Sequence, residues 1–220
     1  MRLVHTLYEP AGAGPHPTLL ALHGRGANAF DLLGLAPYLC GGRFLVICPQ
    51  APIAMPIGPE ATGYAWYPAG GTFDVDAALS SRAELDRFID DCVGRYPVDP
   101  GKLVLMGFSQ GGVMAYALAL AHPGRFAALV ALSSWLPDEI VSGAGADGAL
   151  RSLPVLVQHG SEDRMIEVGR AHASVERLRE LRAALTYREY DMGHEITPRS
   201  LADLSAWLEE KIFSPLGIVG

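Results

Sequence analysis

Gly107-Phe108-Ser109-Gln110-Gly111 fits the pattern G-x-S-x-G, in which a serine hydroxyl serves as a nucleophile. In a chain holding 25 Gly, random placement gives roughly 0.15 such pentapeptides, so the match alone carries little weight. Its surroundings carry more. An apolar run over 103–106 feeds into it and an almost wholly apolar helical stretch over 112–121 leaves it. That is the strand, tight turn and helix needed to hold Ser109 in a strained conformation with its Oγ above a sheet edge. Glycines on both sides let the two backbones approach closely.

A serine hydroxyl needs a base, and where such a turn is used the partners follow in the order Ser, acid, His. His122, His159, His172 and His194 lie downstream of Ser109. His122 ends the helix that leaves the turn and His172 falls within a helical stripe, so solvation or capping explains both. His159 ends a strand but precedes every acid of its loop. His194 stands in the loop Asp191-Met192-Gly193-His194-Glu195, after a strand-like run over 185–190, and is the best base. The acid belongs in the loop after the strand at 155–158, where Glu162 and Asp163 stand side by side. A carboxylate there would fix one imidazole tautomer and stabilise the imidazolium formed during attack. Spacing does not separate the two neighbours; Asp191 ranks third.

The oxyanion that develops needs two preorganised N–H donors. The Gln110 amide, directly after the nucleophile, is one candidate. The Arg25 amide is the other, in His23-Gly24-Arg25-Gly26-Ala27-Asn28, which follows an earlier apolar strand. The Arg25 guanidinium reads more simply as solvated or structurally paired than as a ligand for a substrate carboxylate, and His23 as a core residue bonded to backbone. His159, Glu162 and Asp163 do not have H-E-x-x-H spacing, so no metal site is expected. No G-x-x-x-x-G-K-[ST] occurs and no G-x-G-x-x-G follows a strand, which leaves ATP and NAD without a seat.

These residues must be positioned by a framework, and the apolar pattern supplies one. Short runs at 18–22, 44–48, 103–106, 126–132 and 155–158 have the character of strands buried on both faces. Helical stripes lie among them: Leu85, Phe88, Ile89 and Cys92 within 83–96; Val175, Leu178 and Leu181 within 168–185; Leu201, Leu204, Trp207 and Leu208 within 200–213. Strands alternating with helices predict an α/β fold with a mostly parallel central sheet, flanked by helices on both faces. Arg177, Arg179 and Arg182 alternate with Glu176 and Glu180, as on a solvated helix face. The stretch 49–73 is rich in Pro and Gly yet carries Met55, Ile57, Tyr64, Trp66, Tyr67 and Phe73. It either packs on its own domain or forms a substrate-facing wall. The stretch 135–153 is too short for a separate lid domain.

A net charge of -7 excludes phosphate backbones and anionic lipid as natural partners. With 50% apolar and 19% charged residues the chain can bury a core, and 220 residues suit one domain, 1–220. Cys40, Cys48 and Cys92 are odd in number and form no C-x-x-C pair, so a reducing, cytoplasmic setting is expected. Nowhere do 18 apolar residues stand together to span a membrane. The apolar tail from Phe213 through Leu216, Ile218 and Val219 either folds back on the sheet or forms a homodimer contact.

Ordered motifs along nearly the whole chain resemble the phospholipase/carboxylesterase family of α/β-hydrolases. They are Leu22-His23-Gly24-Arg25-Gly26, Pro49-Gln50-Ala51-Pro52, Tyr64-Ala65-Trp66-Tyr67, Gly107-Phe108-Ser109-Gln110-Gly111-Gly112, His159-Gly160-Ser161-Glu162-Asp163 and Gly193-His194-Glu195-Ile196. The resemblance implies Ser109 as nucleophile, Asp163 rather than Glu162 as acid, His194 as base, and the Arg25 and Gln110 amides as oxyanion hole. It also implies hydrolysis of carboxylic esters or thioesters without a cofactor, with Trp66 and Trp135 near the acyl pocket. His-Gly-Arg-Gly is similar to the bacterial carboxylesterase branch, whereas the thioesterase branch commonly has Leu where Arg25 stands. Small-molecule esters with short acyl chains are therefore the expected substrates. Lysophospholipase or longer-chain thioesterase activity is the nearer rival, and a non-catalytic hydrolase-fold binding protein the remoter one.

Overall fold

The computed structural model describes residues 3–70, 72–122, 124–142 and 150–214. Its strands are β1 (His5–Tyr8), β2 (His16–Leu22), β3 (Leu45–Pro49), β4 (Ile53–Pro56), β5 (Thr62–Ala65), β6 (Val98–Phe108), β7 (Ala128–Leu132), β8 (Pro154–Gly160) and β9 (Ala184–Tyr190). The α-helices are α1 (Val75–Arg95), α2 (Gln110–Ala121), α3 (Asp138–Ser142), α4 (Val168–Glu180) and α5 (Pro198–Leu208).

Seven strands form one sheet in the order β1-β3-β2-β6-β7-β8-β9. All neighbours are parallel except β1, which runs antiparallel to β3. The expected parallel sheet is thus present, with an antiparallel edge strand that the four residues His5–Tyr8 did not advertise. Alternation along the strands divides the core. On β2, Leu20 and Leu22 join one buried cluster with Leu85 and Phe88 of α1, Val113 of α2 and Leu178 of α4. Leu19 and Ala21 join another with Ala36, Leu39, and Leu204 and Trp207 of α5. A strand covered on both faces needs apolar residues at every position, which is why these segments read as unbroken apolar runs.

Helix α2 is buried from Gln110 through Leu120, so it has no polar stripe. It lies against β6 and β7 at the centre of the molecule. Three helix ends fall well away from the sequence expectation. α1 begins at Val75 rather than at 83, because Asp74 caps it by accepting from the Ala77 amide and its first buried positions are the small Ala78 and Ser81. α4 ends at Glu180, where Arg182 turns the chain at φ 58° into β9. The helix expected over 200–213 is α5 followed by a π-helical turn, Glu209–Phe213.

The Pro- and Gly-rich stretch after β3 contains the antiparallel pair β4–β5. It is bridged to the Arg25 loop by Tyr64 and Ala27, whose backbones pair, and by Gly26 N–H donating to Tyr64 O at 2.8 Å. No helix among the described residues is long and apolar enough to cross a membrane. The tail beyond 214 and the glycines at 143, 145 and 148 lie outside the described residues.

Candidate active site

Ser109 occupies the turn between β6 and α2 with φ 53° and ψ -119°, a conformation that costs a side-chain-bearing residue on the order of 1–3 kcal/mol. Packing enforces it. A Cβ on Gly107 would meet Gly111 O at 2.2 Å, and one on Gly111 would meet Leu22 O at 2.0 Å. Only glycine lets α2 start so close to both the end of β6 and the end of β2. Ser109 N–H donates to Leu132 O at 2.9 Å, and Ser134 Oγ donates to Ser109 O at 2.8 Å, so the turn is also tied to the end of β7.

The loops after β8 and β9 are pressed together in the same way. A Cβ on Gly160 would meet Met192 O at 2.1 Å, Ser161 N–H donates to Tyr190 O and Glu162 N–H to Met192 O. Asp163 is buried at the base of this contact. Its Oδ1 accepts from the Met165 and Ile166 amides, both at 2.9 Å, and its Oδ2 accepts from His194 Nδ1 at 2.8 Å. With Nδ1 donating, the imidazole keeps Nε2 as an acceptor. His159 Nε2 donates to Ile166 O at 2.8 Å and stands 3.4 Å from Asp163 Oδ2, a wholly buried support for the carboxylate.

Ser109 and His194 line one cavity of about 360 Å³, and the Phe108 and His194 rings meet at a tilt of 49° with centroids 4.8 Å apart. Among the described residues no hydrogen bond joins the Ser109 hydroxyl to His194; such contacts are commonly long until substrate arrives. Arg25 and Gln110 line the same cavity. Among the described residues the Arg25 N–H has no backbone acceptor, and the Gln110 N–H, first in α2, is among those a helix leaves without an internal partner. Geometry separates the candidate acids: Asp163 holds His194, Glu162 is exposed, and Asp191 receives only a 3.5 Å contact from Ser161 Oγ.

His23 is 1% exposed; its Nδ1–H donates to Gly24 O at 2.7 Å and its Nε2 accepts from Ala51 N–H at 3.1 Å. Desolvation holds its pKa below the ordinary 6.5. Trp135 lines the cavity, but Trp66 does not. Trp66 is 0% exposed, its Nε1–H bonded to His23 O at 2.9 Å. A large ring on the β5 side is drawn into the core under the Arg25 loop, and its neighbour Tyr67 takes the place on the cavity wall. Two features of the cavity leave no mark in the local sequence. The Gln110 side chain accepts from Trp66 N–H at 2.8 Å and donates to Tyr67 O at 2.7 Å, clamping the Ser109 turn to that wall. Arg170 of α4 also lines the cavity, and no local pattern marks it. No group of three or more His, Cys, Asp and Glu among the described residues could hold a metal.

A mostly parallel sheet with a strained serine between β6 and α2, and an acid and a histidine on the loops after β8 and β9, defines an α/β-hydrolase. The family model for phospholipases and carboxylesterases matches residues 8–212, and the chain belongs to that family. An acyl-protein thioesterase 1 from Gibberella zeae is 30% identical, the match covering 94% of this chain and 95% of the relative. Among solved structures, esterase PE8 superposes with a TM-score of 0.82 at 26% identity, over 96% of this chain and all of that one. A Bacillus cereus carboxylesterase superposes with a TM-score of 0.80 at 21% identity, over 96% and 95%.

Proposed function

We propose that the protein is a serine hydrolase that cleaves small carboxylic esters, and thioesters of similar size, through an acyl-enzyme on Ser109. The observation that carries the reading is the bond from His194 Nδ1 to the buried Asp163, which leaves Nε2 as a proton acceptor in the cavity that Ser109 lines. His194 Nε2 takes the Ser109 proton as Oγ bonds to the substrate carbonyl carbon, and the carbonyl oxygen gains negative charge. The Gln110 and Arg25 amides stabilise that oxygen. Collapse breaks the bond to the leaving alcohol or thiol, which receives the proton from His194. Water, deprotonated by the same imidazole, then attacks the acyl carbon and releases the acid and Ser109.

A cavity of about 360 Å³ is near the low end of the roughly 300–1,000 Å³ usual for ligand sites, which favours short acyl groups. The thioesterase relative favours the longer-chain reading. A series of p-nitrophenyl esters and acyl thioesters of rising chain length separates the two, the small-ester reading requiring a short-chain optimum. Ser109→Ala should lower turnover by several orders of magnitude and abolish covalent labelling by a fluorophosphonate. Wild-type turnover in that variant would refute the assignment. Three free, buried cysteines support a cytoplasmic setting. The proposed homodimer contact through the tail is tested by light scattering of the intact chain.

A further inference from the structure

The wall of the cavity formed by α4 and the segment after β5 carries two hydrogen-bond donor groups with no protein acceptor among the described residues. The Arg170 guanidinium sits over the Trp135 ring, its Cζ 4.0 Å from the ring centroid. A cation over a ring is held by the ring's quadrupole, an attraction that does not require its N–H donors to find an acceptor there. Among the described residues the guanidinium has no hydrogen-bonded or ion-paired partner; Glu139 and Tyr67 act on it through the field alone. Tyr67 lines the same cavity, is 4% exposed, and its hydroxyl is buried without a partner among the described residues. Burial pushes its phenol far up, so at neutral pH it stays a donor. The charged residues of the cavity lining are Arg25, Arg170 and Asp31, which leaves a positive excess in a chain whose net charge is -7.

We propose that Arg170 and Tyr67 form a subsite for an anionic oxygen group of the substrate, a carboxylate, so that the preferred esters carry a negative charge away from the scissile bond. This rests on the esterase reading above and narrows its substrate class. A planar guanidinium edge matches a carboxylate in bidentate fashion, and a phenol O–H held out of water gains the acceptor it lacks. A neutral alkyl chain in the same place would leave the buried Tyr67 hydroxyl unpaired and take water from part of the guanidinium.

The carboxylate can belong to the acyl part or to the alcohol part, and two pairs of substrates followed by pH-stat distinguish them. Monomethyl glutarate against methyl valerate tests the acyl side; 3-acetoxypropionate against propyl acetate tests the alcohol side. One charged member should exceed its neutral partner roughly tenfold in kcat/KM, mainly through KM, the modest end of a charge-assisted bond because Arg170 is solvent-exposed. That ratio should shrink as salt is raised. Arg170→Gln should bring it close to one, and Tyr67→Phe should lower it about threefold. Arg179→Gln, on the same helix but paired with Glu176 and absent from the cavity lining, should leave the ratio as it is. Ratios near one for both pairs, or a full ratio retained in Arg170→Gln, would overturn the proposal. Ser109-dependent hydrolysis of the neutral esters distinguishes that outcome from failure of the esterase reading itself, in which no ester is turned over.

Discussion

Replacing Asp163 by Asn exchanges one carboxylate oxygen for an NH2 group, and the surrounding hydrogen bonds decide where that group goes. Oδ1 accepts from two amides, Met165 and Ile166, at 2.9 Å each. A carboxamide turned with its NH2 toward them would set donors against donors and orphan both amides, at about 1–3 kcal/mol apiece. The substituted side chain is therefore held with its oxygen on that side and its NH2 toward His194 Nδ1, where the carboxylate accepts at 2.8 Å in the native protein. Nδ1 must then accept, the ring proton moves to Nε2, and the lone pair that takes the Ser109 proton is lost. A wrong tautomer with intact geometry lowers kcat about 10⁴-fold in serine proteases, or about 5.5 kcal/mol. The assay is steady-state hydrolysis of p-nitrophenyl acetate together with the rate of fluorophosphonate labelling, with circular dichroism to confirm the fold. Glu162→Gln serves as the control, because Glu162 is exposed and holds no ring, and it should stay near wild type. Activity of Asp163→Asn within tenfold of wild type, or a larger loss in Glu162→Gln, would refute the reasoning.

Two further outcomes follow from the buried network. Gln110→Ala keeps the amide proposed for the oxyanion but leaves Trp66 N–H and Tyr67 C=O unpaired, so urea denaturation should report a loss of about 2–4 kcal/mol; an unchanged midpoint would contradict the clamp. Buried His23 has a pKa held below 6.5 by desolvation, so below pH 6.5 the unfolded chain takes up a proton that the folded chain refuses. Its effect on stability is nil above 6.5 and grows as pH falls toward the lowered folded value, at no more than about 1.4 kcal/mol per pH unit. His23→Gln should flatten that acid limb in urea titrations at pH 7, 6 and 5, and equal limbs in both proteins would contradict the assignment.

The parts of the candidate site that sit on strands and their immediate turns are legible in the sequence, because burial on both faces writes unbroken apolar runs and close backbone approach writes glycine. Ser109 between Gly107 and Gly111, and the loops of Asp163 and His194, are of this kind. Choosing Asp163 over Glu162 needed the family resemblance, since the deciding contacts, from the 165 and 166 amides and from His194, depend on how the loop folds. Trp66 was misplaced because an aromatic ring in a Pro- and Gly-rich stretch carries no periodicity to say which way it points. Arg170 was invisible for a related reason: its place over Trp135 joins residues far apart in the chain, and nothing near either one records the encounter.

The proposed nucleophile and its proposed partners do not share one mechanical setting. Ser109 opens a helix enclosed by the core, whereas His194 hangs from β9, the last strand of the sheet, whose residues are mostly half-exposed. Edges fray at lower free energy than centres do. On gentle heating, therefore, hydrolysis should fade before the near-ultraviolet signal of the interior, and return on cooling, because what parts first is the outer loop from an otherwise intact stack of layers.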